Sequence, residues 1–367
     1  MKFMKVCMAA LIVSLLFAGC GQSGTSGQTA ASGRSISAAG SGTEDSSNSA
    51  SQTEPRSEET VSEKNAESAK TSGETTASSS SAAVLEKSGY PAFDFTKKSV
   101  TLNSGYEMPI LGLGMFSLSD SEAENSTYWA LKAGLRLIDT ARIYGNEAAV
   151  GRGLQRAINE GIVTREEVFI TTKMWTSDFD NGDAAVDASL ARLGVDHIDL
   201  MILHHSQPSN DVDAYKAMER AVAAGKLRSI GLSNYYEPED FDRLVNAVSI
   251  KPALLQNETH PYHQSTKMKD HIAQYGTVLE SWFPLGGRGN TRTLFNDPVI
   301  SGIAKKHEVS SAQVIIRWHL QAGNICIPGS SNEQHIIEDY DVWDFELTED
   351  EMAQMTALER DERFADY

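Results

Sequence analysis

Residues 136–147, RLIDTARIYGNE, open as a buried strand and then set Asp139, Arg142, Tyr144 and Glu147 directly after the apolar run. An acid and a phenol five residues apart at the mouth of a strand are groups that can hold and move a proton. The other apolar runs end in the same way. Lys173 follows VFITT, His204 follows LMIL, Ser233 and Asn234 follow RSIGL, Gln256 ends ALLQ, and Trp282 follows VLES. Taken singly, an Asp after a strand is ordinarily a helix cap or an ion partner. An acid, a phenol, an ammonium and an imidazole gathered at strand ends point instead to one shared reaction site.

Such residues converge only if the strands run parallel and side by side. From residue 99 onward, short apolar runs alternate with longer amphipathic stretches, as expected for parallel strands joined by helical crossovers. Eight runs are found: 109–114, 135–138, 168–172, 200–203, 228–232, 253–256, 278–281 and 325–328. Ahead of them, SVTLNSGYEMP reads as a hairpin turning at Asn103-Ser104-Gly105, fit to plug one end of a barrel. Helix signals fill the intervals. Ser119 and Ser121 are N-cap candidates before a helix ending at Gly134, Asp297 precedes Pro298 at a first helical position, and Thr348 with Glu351 forms a capping box. Eight strand–helix units in roughly 270 residues predict an α/β fold, a (β/α)8 TIM barrel with an N-terminal β-hairpin and a C-terminal helix. An open doubly wound sheet is the alternative, and no GxGxxG turn follows an early strand to support it.

The chain has 367 residues, 40% hydrophobic and 22% charged, with a formal net charge of -18. That is enough apolar material for a sizeable core, and the acidity argues against a nucleic-acid partner. The first residues, MKFMKVCMAALIVSLLFAGC, carry Lys2 and Lys5 ahead of an apolar run too short for a confident membrane span, the pattern of an export signal. The closing LFAGC resembles the lipobox of bacterial lipoproteins, with Phe17 where Leu is usual; an ordinary secretory signal is the other reading. The resemblance implies a signal peptide over residues 1–19, cleavage before Cys20 and lipid on that cysteine, giving an exported protein anchored to the bacterial cell membrane. Residues 20–92, rich in Ser, Thr and Gly, lack the large apolar residues needed to offset chain entropy and are expected to form a disordered linker. The barrel is expected over 93–367. With Cys7 in the signal and Cys20 lipidated, Cys326 has no evident partner and no disulfide framework is expected. A monomer without metal is expected.

From about Val100 to the C-terminus the sequence resembles the aldo-keto reductase superfamily. The motifs are LIDTARIYGNE, FITTKMW, DLMILHH, GKLRSIGLSN, QNETHPY and ESWFPLG. The resemblance implies that Asp139, Tyr144, Lys173 and His204 are the catalytic tetrad. It implies that Ser233, Asn234 and Gln256 hold a nicotinamide carboxamide, that Trp282 stacks on the ring, and that Pro284, Leu285, Ser330, Ser331 and His335 complete a coenzyme site. The implied reaction is reduction of an aldehyde or ketone to an alcohol by NADPH, or oxidation of the alcohol in reverse. The residue types suit it, because an oxygen gaining negative charge needs a proton donor. Tyr144 is the expected donor, and an ammonium favours its phenolate: one unit charge about 4 Å away contributes about 4 kcal/mol at an effective dielectric of 20. Asp139 is expected to keep Lys173 charged, and His204 to orient the substrate oxygen.

Several positions depart from the family pattern. Gly329 in IPGS stands where a lysine is common, and His335 where an arginine is common, so two contacts to a coenzyme 2′-phosphate are absent and NAD(H) is a second choice beside NADP(H). Phe116 and His205 stand where relatives carry Trp, while Trp175 is retained; these three are the expected substrate-binding residues, in a pocket somewhat more polar and open. His205 either lines that pocket or faces solvent, and the final DERFADY is either a pocket wall or a solvated tail. Beside the reductase, a surface-anchored nicotinamide-nucleotide or ligand-binding lipoprotein with little turnover is the alternative, since an exported chain meets little free NADPH. A hydrolase on the same barrel is disfavoured, because no second acid is found at a neighbouring strand end in a matching motif.

Overall fold

A computed structural model describes residues 90–365. The expected signal peptide, Cys20 and nearly all of the expected linker lie outside the described residues. The first strand, β1 (Phe93–Asp94), pairs antiparallel with β2 (Ser99–Thr101), which pairs with β3 (Glu107–Pro109). The β2–β3 turn is the one read from the sequence: the Gly105 amide donates to the Leu102 carbonyl, and Gly105 takes φ +87°, where only glycine is unstrained. The strand β1 was not expected, and its two residues carry no alternation from which to read it.

Eight parallel strands follow in chain order around one sheet: β4 (Leu113–Gly114), β5 (Leu137–Asp139), β6 (Phe169–Met174), β7 (Ile198–Leu203), β8 (Leu227–Ser233), β9 (Leu254–Glu258), β10 (Val278–Trp282) and β11 (Ile325–Cys326). The sheet closes on itself. Gly112 N–H donates to the Cys326 carbonyl, Cys326 N–H to Ile110 and Gly114 N–H to Pro328, all at 2.9–3.0 Å. Sequential order with closure is the TIM-barrel arrangement and not that of a doubly wound sheet, whose strand order reverses. All residues of β6, β7 and β9 are buried, on both faces, which is why their sequences carry short apolar runs and no strict alternation.

The helices begin and end where their caps dictate. Ser119, not Ser121, caps helix Asp120–Ala133 in a capping box with Glu122, and Gly134 ends it at φ +109°. Asp297 accepts from the Val299 and Ile300 amides at the start of helix Pro298–His307. Thr348 and Glu351 form the capping box of helix Glu349–Thr356. One core layer lies between the helices and the barrel. A second fills the barrel, where Val100, Leu102 and Met108 of the hairpin meet Leu137, Leu200 and Leu254 and so plug the end opposite the strand C-termini.

Candidate active site

At the open end of the barrel lies a cavity of about 670 Å³. Asp139, Tyr144, His204, Ser233, Asn234, Gln256 and Trp282 line it, as do Phe116, Trp175, His205, Pro284, Leu285, Ser330, Ser331 and His335. The structure therefore brings every expected cavity-lining residue together; Lys173 lies beneath, fully buried. Its Nζ donates to Asp139 Oδ1 at 2.5 Å and to the Thr140 carbonyl at 2.9 Å, and stands 4.9 Å from the centre of the Tyr144 ring.

Tyr144 is aimed by its loop. It ends the short 3-10 turn Arg142–Tyr144, closed by Gly145 at φ +74°. The buried Asn146 then ties the turn down, accepting from Thr140 Oγ1 at 2.8 Å and donating to the carbonyls of Met115 and Leu118. The remaining charged residues of the opening motif are structural. Glu147 is buried against Arg192 and Thr172 Oγ1, and Arg142 pairs with Asp178 at 3.6 Å.

The electrostatics follow from burial. Desolvation opposes the Lys173 charge, but Asp139, Tyr144 and Glu280 overcome it, so the ammonium holds its proton above the usual lysine range. Burial pushes the Asp139 carboxyl up, against the pull of Lys173 and the Gln256 amide. For His204, burial first and then the Lys173 and His205 charges lower the imidazole to about 2. His204 is therefore neutral across the working range and acts as a hydrogen-bonding group, not as the acid. Its Nδ1 is sealed without a partner, which leaves Nε2 to serve the cavity. The ring stands edge-on to Tyr144 at 5.6 Å and to Trp175 at 5.1 Å, and stacks on His205 at 5.1 Å. His205 thus lines the pocket.

The coenzyme residues offer unfilled polar atoms. Ser233 Oγ is buried with no hydrogen-bond partner, an orphan that a bound amide would satisfy. Gln256 Nε2 donates to Asp139 Oδ2 and Glu280 Oε2, leaving its oxygen for the cavity. Asn234, at φ +60°, is more occupied: its amide donates to the His204 carbonyl and its oxygen accepts from Tyr236 and from Trp282 Nε1. This chain supports the indole with Asn234 and so fixes the ring expected to stack on nicotinamide. These residues fit a nicotinamide amide. At the far end, Ser330, Ser331, His335, Glu338 and Asp339 line the wall, with burial and Glu338 pushing Asp339 up to about 7. Arg288 is the sole lysine or arginine lining the cavity among the described residues.

Sequence reasoning missed Asn146, Glu280, Phe283 and Arg288. Phe283, at φ +53°, packs its ring 5.8 Å from Phe116, which itself lies 5.2 Å from Tyr144. It supplies an aromatic wall, so the expected gain in polarity is confined to the His205 side. Gly287 permits this, because a Cβ there would meet the Phe283 ring at 2.6 Å. Among the described residues, no part of the C-terminal segment lines the cavity: Phe364 donates its amide to Glu258 at 2.5 Å and stacks on His260 at 4.3 Å, clamping residues 363–365 to the end of β9. The last two residues lie outside the described ones.

Comparison with known proteins agrees with this geometry. The sequence matches the Aldo/keto reductase family over residues 110–360. An aldo-keto reductase of Mycolicibacterium smegmatis is 42% identical over 268 residues, covering 72% of this chain and 94% of that protein. The 9,11-endoperoxide prostaglandin H2 reductase of Trypanosoma cruzi is 42% identical over 267 residues, covering 72% and 92%. The crystal structure of a Bombyx mori aldo-keto reductase in complex with NADP superimposes with a TM-score of 0.69 at 34% identity, covering 73% of this chain and 94% of that one. On fold, cavity and sequence together, this chain belongs to the aldo/keto reductase family.

Proposed function

We propose that the protein reduces small aldehydes or ketones to alcohols with NAD(P)H, NADP(H) being the first choice, and that Tyr144 is the proton donor. The observation that carries this is the Lys173 ammonium, held by Asp139 at 2.5 Å and set 4.9 Å from the Tyr144 ring beside a neutral His204. The coenzyme, when bound, supplies the hydride. This chain's residues do the rest. Ser233 and Gln256 present polar atoms for the carboxamide, and His204 orients the carbonyl oxygen. Tyr144 Oη gives its proton to that oxygen as negative charge develops, with Lys173 stabilising the phenolate left behind. Phe116, Trp175 and Phe283 exclude water around the reacting carbon. Purified protein given NADPH or NADH and a panel of small aldehydes tests the reading at the nicotinamide absorbance. Coenzyme binding with no aldehyde turned over would favour the nucleotide-binding lipoprotein, for which an intact donor set has no purpose.

For location, the reading is a lipid anchor on Cys20 after export, supported by the lipobox-like LFAGC. Labelling cells with radioactive palmitate tests it: Cys20→Ala should lose the label and leave the membrane fraction. A label that persists in the variant would rule out Cys20 as the lipidated residue.

A further inference from the structure

Glu280 is fully buried in β10, two residues before Trp282 and therefore on the same face of the strand. In the sheet it pairs with Gln256 of β9. An amide group has two N–H bonds, and Gln256 Nε2 engages both, donating to Asp139 Oδ2 at 2.9 Å and to Glu280 Oε2 at 2.6 Å. Turning the amide over would set its oxygen against two carboxyl oxygens. The second Glu280 oxygen is sealed with no partner, so nothing in its packing explains an acid here. The charged and titratable groups facing it are Asp139 from β5, Lys173 from β6 and Cys326 from β11.

We propose that Glu280 is a positioning residue of the reduction site: it pins the Gln256 amide with Oε1 toward the nicotinamide carboxamide and sets a second carboxyl behind the Asp139–Lys173 pair. The inference rests on the reductase reading of this cavity. Burial, and then Asp139, push the Glu280 carboxyl up to about 8. Below that pH the site holds two negative groups at most once Tyr144 ionises, and above it a third. Loss of the Glu280 proton therefore opposes ionisation of Tyr144 and keeps the donor protonated further into the alkaline range.

Two variants separate the roles, Glu280→Gln and Glu280→Met. In the apoprotein near neutral pH, the wild-type-minus-Glu280→Gln infrared difference should contain a protonated-carboxyl band, the contribution of Asp339 being common to both proteins. Coenzyme dissociation constants, read by fluorescence, should stay within about twofold in Glu280→Gln, which can still accept from Gln256. They should weaken about fivefold in Glu280→Met, the loss of one hydrogen bond. The alkaline limb of kcat for reduction should move to lower pH by about 0.5 unit or more in Glu280→Gln. An alkaline limb that stays in place, or coenzyme affinity unchanged in a folded Glu280→Met, overturns the inference. If Glu280→Met does not fold by circular dichroism, the infrared band and pH profile of Glu280→Gln decide. A wild-type protein that reduces nothing would sink the reductase reading, while the apoprotein band would still judge the state of Glu280.

Discussion

Lys173 Nζ lies 2.5 Å from Asp139 Oδ1 and 4.9 Å from the centre of the Tyr144 ring, so one buried ammonium joins the acid and the phenol of the same loop. Both members of the ion pair are buried; Asp139 and Tyr144 line the cavity, and the phenol is the more exposed of the two. Tyr144→Phe keeps the ring and its packing and removes only the acidic hydrogen. It should lower kcat for carbonyl reduction by about 10²- to 10⁴-fold, the usual worth of a general acid. Coenzyme affinity should be unchanged, because Ser233 and Gln256 are untouched. Stopped-flow turnover and fluorescence titration check both, and turnover within a few-fold of wild type would assign the proton to another group.

Breaking the pair from the other side has a different signature. Lys173→Met leaves Asp139 buried without its cation, beside Glu280, and should cost about 3–5 kcal/mol of stability. Asp139→Asn added to Lys173→Met removes the stranded charge and should recover part of that loss without recovering activity. Urea unfolding of the single and double variants measures the difference; a double variant no more stable than Lys173→Met would show that charge is not the cause.

Two buried imidazoles set a pH dependence of stability. Burial lowers His204 to about 2 and His319 to about 3, so both are neutral in the folded protein. In the unfolded chain each takes a proton below about pH 6.5. At these two sites the unfolded state then binds more protons than the folded one, so their contribution to stability falls as the pH drops from about 6.5 toward 3, by up to about 1.4 kcal/mol per pH unit for each histidine. Glu280 and Asp339, pushed up to about 8 and about 7, contribute with the opposite sign as the pH rises toward those values. Neither histidine changes stability above about 6.5. Urea midpoints of wild type and His204→Gln at pH 5 and pH 7 isolate one site: the variant, which cannot titrate there, should gain stability relative to wild type as the pH falls, by one proton in the slope. An unchanged slope would mean His204 is already protonated in the folded state.

How far the sequence reveals this site depends on the range of the interactions. Asp139, Lys173, His204 and Gln256 are legible because each marks the end of an apolar run that the barrel buries on both faces. The turn at Gly105 and the caps at Ser119, Asp297 and Thr348 are legible because they are local. Glu280 is hidden within the run it interrupts, and its meaning comes from Gln256 on the neighbouring strand and Asp139 across the barrel. Asn146 reads as an ordinary turn residue, although its amide ties the Tyr144 loop to Met115 and Leu118. Phe283 falls after the run 278–281 with no signal of its own, and only its positive φ and the bare Gly287 fold its ring over the cavity.

The coenzyme end carries a specificity prediction. Gly329 lies against the barrel closure, where a Cβ would meet the Gly114 carbonyl at 3.1 Å, so a side chain there requires a shift of a few tenths of an ångström. His335 lines the same wall. Gly329→Lys with His335→Arg supplies two charge-assisted donors and should raise the ratio of kcat/KM with NADPH to that with NADH by about tenfold or more. Each single change should move it less. A ratio unmoved by the pair would mean that the 2′-position lies elsewhere on the wall.

Arg288 crosses the mouth of the cavity, its Nη2 donating to the Ser117 carbonyl at 2.8 Å. Ser117, at φ +61°, lies between the lining residues Phe116 and Leu118, while Phe283, Gly287 and Arg288 line the opposite rim. The bond therefore joins the loop after β10 to the loop after β4 over the space between them. An exposed hydrogen bond from a guanidinium to a carbonyl contributes about 1 kcal/mol, enough to change an opening rate without changing the fold. Arg288→Ala should speed coenzyme dissociation by about threefold to tenfold and leave association within about twofold, because the bond matters once the mouth is closed. If coenzyme release limits turnover, kcat should rise in the variant as the two rates are followed together in stopped flow. Equal dissociation rates for wild type and Arg288→Ala would show that the bond does not hold the mouth shut.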